Sequence, residues 1–101
     1  MRIDRDPLLP EDRDEPSARR ARAKAECRNR IRAVIDLPAQ VNLQGAALSG
    51  LLLYEEAELM RAGQEWILDM QRAARARSAD PGRCGDWPDP PPGLAALARR
   101  F

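Results

Sequence analysis

The chain has 101 residues, of which 33% are charged and 44% hydrophobic, with a net charge of +1, two cysteines and no histidine. That length allows one small domain, and so small a core buries little apolar surface, so a protein partner is expected. Two cysteines without histidine make no zinc site, and the lack of any long apolar run or signal-peptide core points to synthesis in the cytosol with both thiols reduced.

Residues 1–16 read as a flexible acidic arm. Arg2, Arg5 and Arg13 stand against Asp4, Asp6, Glu11, Asp12, Asp14 and Glu15, a net charge of −3. Pro7, Pro10 and Pro16 forbid a long helix there, while Ile3, Leu8 and Leu9 keep some capacity to dock.

Ser17 is a suitable helix N-cap, and the following residues favour helix strongly. Cys27, Ile31, Val34, Pro38, Val41, Gly45 and Leu48 recur in steps of four and three, which places them on one helical stripe. Pro38 removes a backbone donor and crowds the preceding turn. One possibility is a break near Ile35 and a new helix capped by Asp36, with Pro38 in its first turn. The other is a single kinked helix. The stripe stays in phase across Pro38, which favours one helix over about 18–49, kinked at Pro38.

Ser49-Gly50-Leu51 marks a turn, and a second helix is predicted over 52–77. Glu55, Glu56 and Glu58 suit the positive end of its dipole, and Arg72, Arg75 and Arg77 suit the negative end. Its stripe is Leu59, Gly63, Trp66, Met70 and Ala73. The predicted fold is all-α: an antiparallel helical hairpin over 17–80 with extended N- and C-terminal arms. A reversal near Gly50–Leu51 sets Val34 against Ile67, Ile31 against Met70, Val41 against Met60 and Pro38 against Gly63. A flanking apolar row of Ile35, Leu43, Leu48, Met60, Ile67 and Ala74 then asks for another helix, from a second copy or a partner. Met60 and Ile67 are therefore candidate partner-binding residues.

Charge is unevenly spread. Residues 17–35 carry seven cations against Glu26 alone, while residues 54–70 carry five carboxylates against Arg61 alone. Arg28, Arg30 and Arg32 mark the basic surface. The tethered acidic arm and the lack of interleaved aromatic residues or a DNA-binding motif argue against nucleic acid as its ligand.

Residues 81–101 form a Pro-rich tail. Trp87, Pro88, Pro90 and Pro91 suit an extended docking segment anchored by an aromatic side chain. Leu94, Leu97 and Phe101 share one face of a short terminal helix. The tail either folds back with Trp87, Leu97 and Phe101 to cap the hairpin or docks on another chain. No catalytic constellation, cofactor motif or metal-ligand set accompanies these features, so an enzyme is not expected.

The segments Glu26-Cys27-Arg28-Asn29-Arg30-Ile31, Gln40-Val41-Asn42-Leu43, Gly50-Leu51-Leu52, Arg61-Ala62-Gly63-Gln64-Glu65-Trp66-Ile67, Met70-Gln71-Arg72-Ala73 and Trp87-Pro88-Asp89-Pro90-Pro91 resemble small prophage proteins encoded among tail genes. These are similar to short relatives of phage tail-fibre assembly proteins, which often finish with a Trp-Pro-x-x-Pro segment. The resemblance spans about residues 26–92. It implies a tail structural or assembly protein that binds a tail or fibre component, is made in the bacterial cytoplasm and is open to incorporation in the virion. The alternative is a small phage inhibitor of a nucleic-acid-handling host defence complex. Sixteen of the 17 basic residues are arginine, a usage that GC-rich coding imposes and that fits a bacterial or phage source.

Overall fold

The computed structural model describes residues 15–80 and 85–101, and these are all-α. Four helices follow in order: α1 Pro16–Val34, α2 Leu37–Leu48, α3 Tyr54–Ala79 and α4 Leu94–Arg99. The arm expected before residue 15 lies outside the described residues, as does Cys84. Pro16, expected to close that arm, instead opens α1 behind Glu15. This suits proline, which lacks the N–H that the first turn leaves unpaired.

The single kinked helix expected over 18–49 is replaced by a break. Ile35 is extended (φ −141°, ψ 105°), and Asp36 caps α2 by accepting from the Ala39 N–H at 2.9 Å. Pro38 then sits in the first turn of α2, where neither its missing donor nor its ring costs anything. The break re-aims the chain. Ala23, Cys27, Ile31 and Ile35 are buried before it, and Ala39, Leu43 and Ala46 after it. Val41 and Leu48, expected on the inward stripe, are 66% and 90% exposed.

The α2–α3 turn closes as a Schellman motif. Leu51 N–H donates to the Ala46 carbonyl and Gly50 N–H to that of Ala47, with Gly50 left-handed at φ 70°. At the start of α3, the Glu56 carboxylate accepts from the Leu53 N–H at 2.9 Å, which satisfies one of the orphan donors of the first turn.

α1 and α3 pack along one another. They run antiparallel: Arg19 Nε, near the start of α1, lies 3.5 Å from the Ser78 carbonyl near the end of α3. The two-helix hairpin is nevertheless incomplete, because α2 packs on α4 rather than along α3. α4 also touches α1 and α3, so the tail supplies the third side of the core. Gly63 shows why. A side-chain carbon there would meet Leu94 Cδ1 at 2.9 Å, so the space expected to receive Pro38 is filled by Leu94. Leu94, Leu97 and Ala98 are buried beside Trp66 and Met70. On α3 the inward residues are Gly63, Trp66, Met70 and Ala74, one position beyond the Ala73 expected.

The flanking row expected to seek another helix is split by this packing. Ile35, Leu43 and Ala74 are buried in the core, Met60 and Ile67 lie half-buried against it, and only Leu48 stands clear.

Candidate protein-interaction surfaces

The described residues present three separate candidate surfaces, two of which hold residues expected to bind a partner. The first is the tail. Trp87 is half-buried in contact with its own chain, and its Nε1 donates to Glu26 Oε2 at 2.9 Å. The guanidinium carbons of Arg77 and Arg30 lie 4.5 and 5.4 Å from the Trp87 ring centre, within cation–π range. The Pro88 carbonyl accepts from Trp66 Nε1 at 3.0 Å, and the Gly85 carbonyl from Arg77 Nη2 at 2.7 Å. Pro91 is half-buried and its carbonyl accepts from the Leu94 N–H at 3.2 Å, while Pro90 is exposed. Beyond α4, the Phe101 carbonyl accepts from Asn42 Nδ2 at 3.0 Å, and Arg100 pairs with Glu56. The segment is therefore a latch on its own core.

Two carboxylates hold that latch. Glu26 titrates below its ordinary value of 4.5, chiefly through the hydrogen bond from Arg30, with the Trp87 indole adding to it. Glu56 is also lowered, first by the Leu53 N–H and then by Arg100. A carboxylate lowered in the folded state contributes stability above its unfolded pKa and loses it as pH falls through the folded value. The latch is therefore fully held at neutral pH and loosens below pH 4.5, the unperturbed value for both groups. Tryptophan emission should shift in that window. Glu26→Gln should show a weakened latch already at neutral pH and a smaller acid transition.

The second surface is the outward face of α2 and the turn after it. The helix Leu37–Leu48 carries no charged residue. Val41, Gly45 and Leu48 share its outer stripe, and Leu51, Leu53 and Tyr54, which follow in the chain, are exposed as well, Tyr54 at 77%. A side-chain carbon at Gly45 would meet nothing, so nothing in the described fold requires a glycine there. A mid-helix glycine costs about 1 kcal/mol relative to alanine.

The third surface is a groove of about 940 Å³ along the side of α1 and α3. Its apolar lining includes Ile31, Leu37 and Ile67. Arg20, Lys24, Arg28 and Arg32, each four residues after the last, line it from α1, and Arg75 lines it from α3. Among the described residues, no carboxylate lines it. Among the described residues none of these five cations has an ion-pair partner. Arg30 is separated from this set. Two residues from both Arg28 and Arg32, it turns to the other side of α1 and pairs with Glu26 at 2.8 Å.

Of the sequence-predicted residues, Ile67, Arg28 and Arg32 meet in the groove, Trp87, Pro88 and Arg30 meet in the latch, and Met60 lies half-buried against the core. The apolar face of α2 was missed because its stripe reads as core. The only signal in the sequence was the lack of charge over residues 37–48.

Burial raises the Cys27 thiol above its usual range, and the side chain serves as a small core residue. Among the described residues, no cluster of three or more His, Cys, Asp or Glu is arranged to hold a metal, and no helix is long and apolar enough to cross a membrane. Compared with protein-family models, curated proteins and solved structures, the chain finds no match.

Proposed function

We propose that this chain is a non-enzymatic protein–protein interaction module of a phage tail or tail fibre, acting as a structural or assembly component. The observation that carries this reading is the uncharged helix α2, whose Val41 and Leu48 are 66% and 90% exposed, with Leu51 and Tyr54 exposed after it in the chain. An apolar face of this kind, next to charged surfaces, is the usual mark of a site covered by another protein. The resemblance to tail-gene proteins supplies the class of partner, a tail or fibre component. A second copy of the chain fits the same face, and sedimentation equilibrium reads whether it does so. The partner is met in the bacterial cytoplasm, where the tail is assembled.

The test is a double substitution, Val41→Glu with Leu48→Glu, in the producing phage. Both side chains lie outside the core, so helix content by circular dichroism should be unchanged. Two buried carboxylates at an interface oppose binding strongly, by a factor on the order of 100 or more. Tails should then form as poorly as in a deletion of the whole gene. Normal tails from the double variant would overturn the proposal.

A second reading rests on the basic row of the groove, whose cations have no ion-pair partner among the described residues. An inhibitor of a nucleic-acid-handling host complex would bind through Arg28 and Arg32, with strong salt dependence. Reversing those two residues would then abolish the effect, and the α2 substitutions would not.

A further inference from the structure

Two kinds of side chain build the groove along α1 and α3. Its apolar lining joins Ile31, which is buried, with Ile67, half-buried, and Leu37, 48% exposed. Arg20, Lys24, Arg28 and Arg32 line it from α1 and Arg75 from α3, and all five of these residues are exposed. Cations from both helices thus share one groove with an apolar strip. We infer that this groove takes an acidic amphipathic helix of a partner protein, with aliphatic side chains on Ile31, Leu37 and Ile67 and carboxylates against the row from Arg20 to Arg32.

The spacing of the row argues for a helix. Residues four apart on α1 form a ridge that rises about 6 Å per step, and a second helix packs against such a ridge with its own side chains three or four apart. Carboxylates at that spacing on one edge of the guest would meet successive cations, and its apolar stripe would cover the apolar lining. From Arg20 to Arg32 the row rises about 18 Å, so roughly three turns of guest helix engage all of it. An amphipathic helix laid in an apolar groove is a recurring mode of peptide recognition. A guest without carboxylates fits less well, because it would take the cations out of water with nothing of opposite charge to meet them. Nucleic acid also fits less well, because a phosphate backbone would leave Ile31, Leu37 and Ile67 uncovered. Val41 and Leu48 lie outside this groove, so the inference stands apart from the proposed function and either can fail alone.

The test uses the full chain with isotopically labelled isoleucine and leucine methyl groups. The probe is a synthetic peptide of about 18 residues, long enough to hold a helix in water, with Glu at every third or fourth position beside a leucine stripe. It should shift the methyl signals of Ile31, Leu37 and Ile67. The pair Arg28→Glu and Arg32→Glu should weaken binding at least about tenfold, because like charges then face each other. Salt at about 1 M should weaken it too, since charges are screened beyond about 3 Å. Val41→Glu with Leu48→Glu should leave it unchanged. Arg28 and Arg32 are exposed, and unchanged methyl signals of the core residues Leu43 and Leu94 would show that the charge-reversed chain keeps its fold. No shift at the groove methyls would overturn the inference. So would equal binding of a peptide of the same composition in scrambled order, which would mean charge attraction alone. Closure of the groove by a second copy before peptide is added, or tighter binding of a DNA duplex at the same methyls, would overturn it as well.

Discussion

Replacing Trp66 by alanine is expected to remove about 3–5 kcal/mol of stability, the usual cost of truncating a buried aromatic side chain. Trp66 is 4% exposed and touches two systems at once. Its ring lies in the cluster that joins Met70, Leu94 and Leu97, and its Nε1 holds the Pro88 carbonyl at 3.0 Å. Loss of the ring therefore opens the core and frees the latch together. Small domains have only about 5 kcal/mol to lose, so the variant should be largely unfolded at 37 °C. Trp66→Phe separates the two effects: it keeps most of the packing and loses the hydrogen bond, at about 1 kcal/mol. Urea unfolding followed by circular dichroism measures both.

Leu94→Ala should cost about 2–5 kcal/mol, with a result specific to this architecture. Leu94 is 1% exposed and fills the space left by Gly63. α4 has only six residues and cannot persist alone. Once its anchor is cut, α4 should detach, and α2, which packs on it, should lose protection with it. Hydrogen exchange would then quicken over Leu37–Leu48 and residues 94–99 before it quickens over α1 and α3. Leu48→Ala provides the contrast. At 90% exposure it should change stability by no more than about 0.5 kcal/mol.

Much of this fold is legible in the sequence. The all-α class, the turn at Ser49–Gly50 and the inward positions Gly63, Trp66 and Met70 of α3 follow from periodicity and charge placement. Two features escaped it, each for a physical reason. At Pro38 the competing local signals were a stripe that stayed in phase and an Asp36 that could cap. The cap prevailed, because a break at Ile35 costs less than a proline inside a helix. The Pro38–Gly63 pairing failed because a glycine on a helix face marks a close approach without saying what approaches. Here it is Leu94, about thirty positions along the chain, and no short-range pattern encodes that contact.

The interaction surfaces were legible in part for the same reason. Trp87 and its prolines read first as an internal cap and, as the alternative, as an external docking peptide, since both need an aromatic anchor on an extended backbone. Contacts with Glu26, Arg30, Arg77 and Trp66 make it internal. Arg28 and Arg32 were chosen for charge alone. Their four-residue spacing, shared with Arg20 and Lys24, is what gathers them in one groove while Arg30 turns away.

The chain closes its own core with the Trp87 latch, and under the proposed function it offers α2 to a partner. Hydroxyl-radical footprinting, on the free chain and on isolated tail assemblies, tests this most directly because it reports side chains. In the free chain Val41, Leu48, Leu51 and Tyr54 should be modified readily, while Trp66, Met70 and Leu94 stay silent. In the assembly those four should become protected, with little change at Trp87. Heavy modification of Trp87 in the free chain, followed by protection of Trp87 alone in the assembly, would contradict the account.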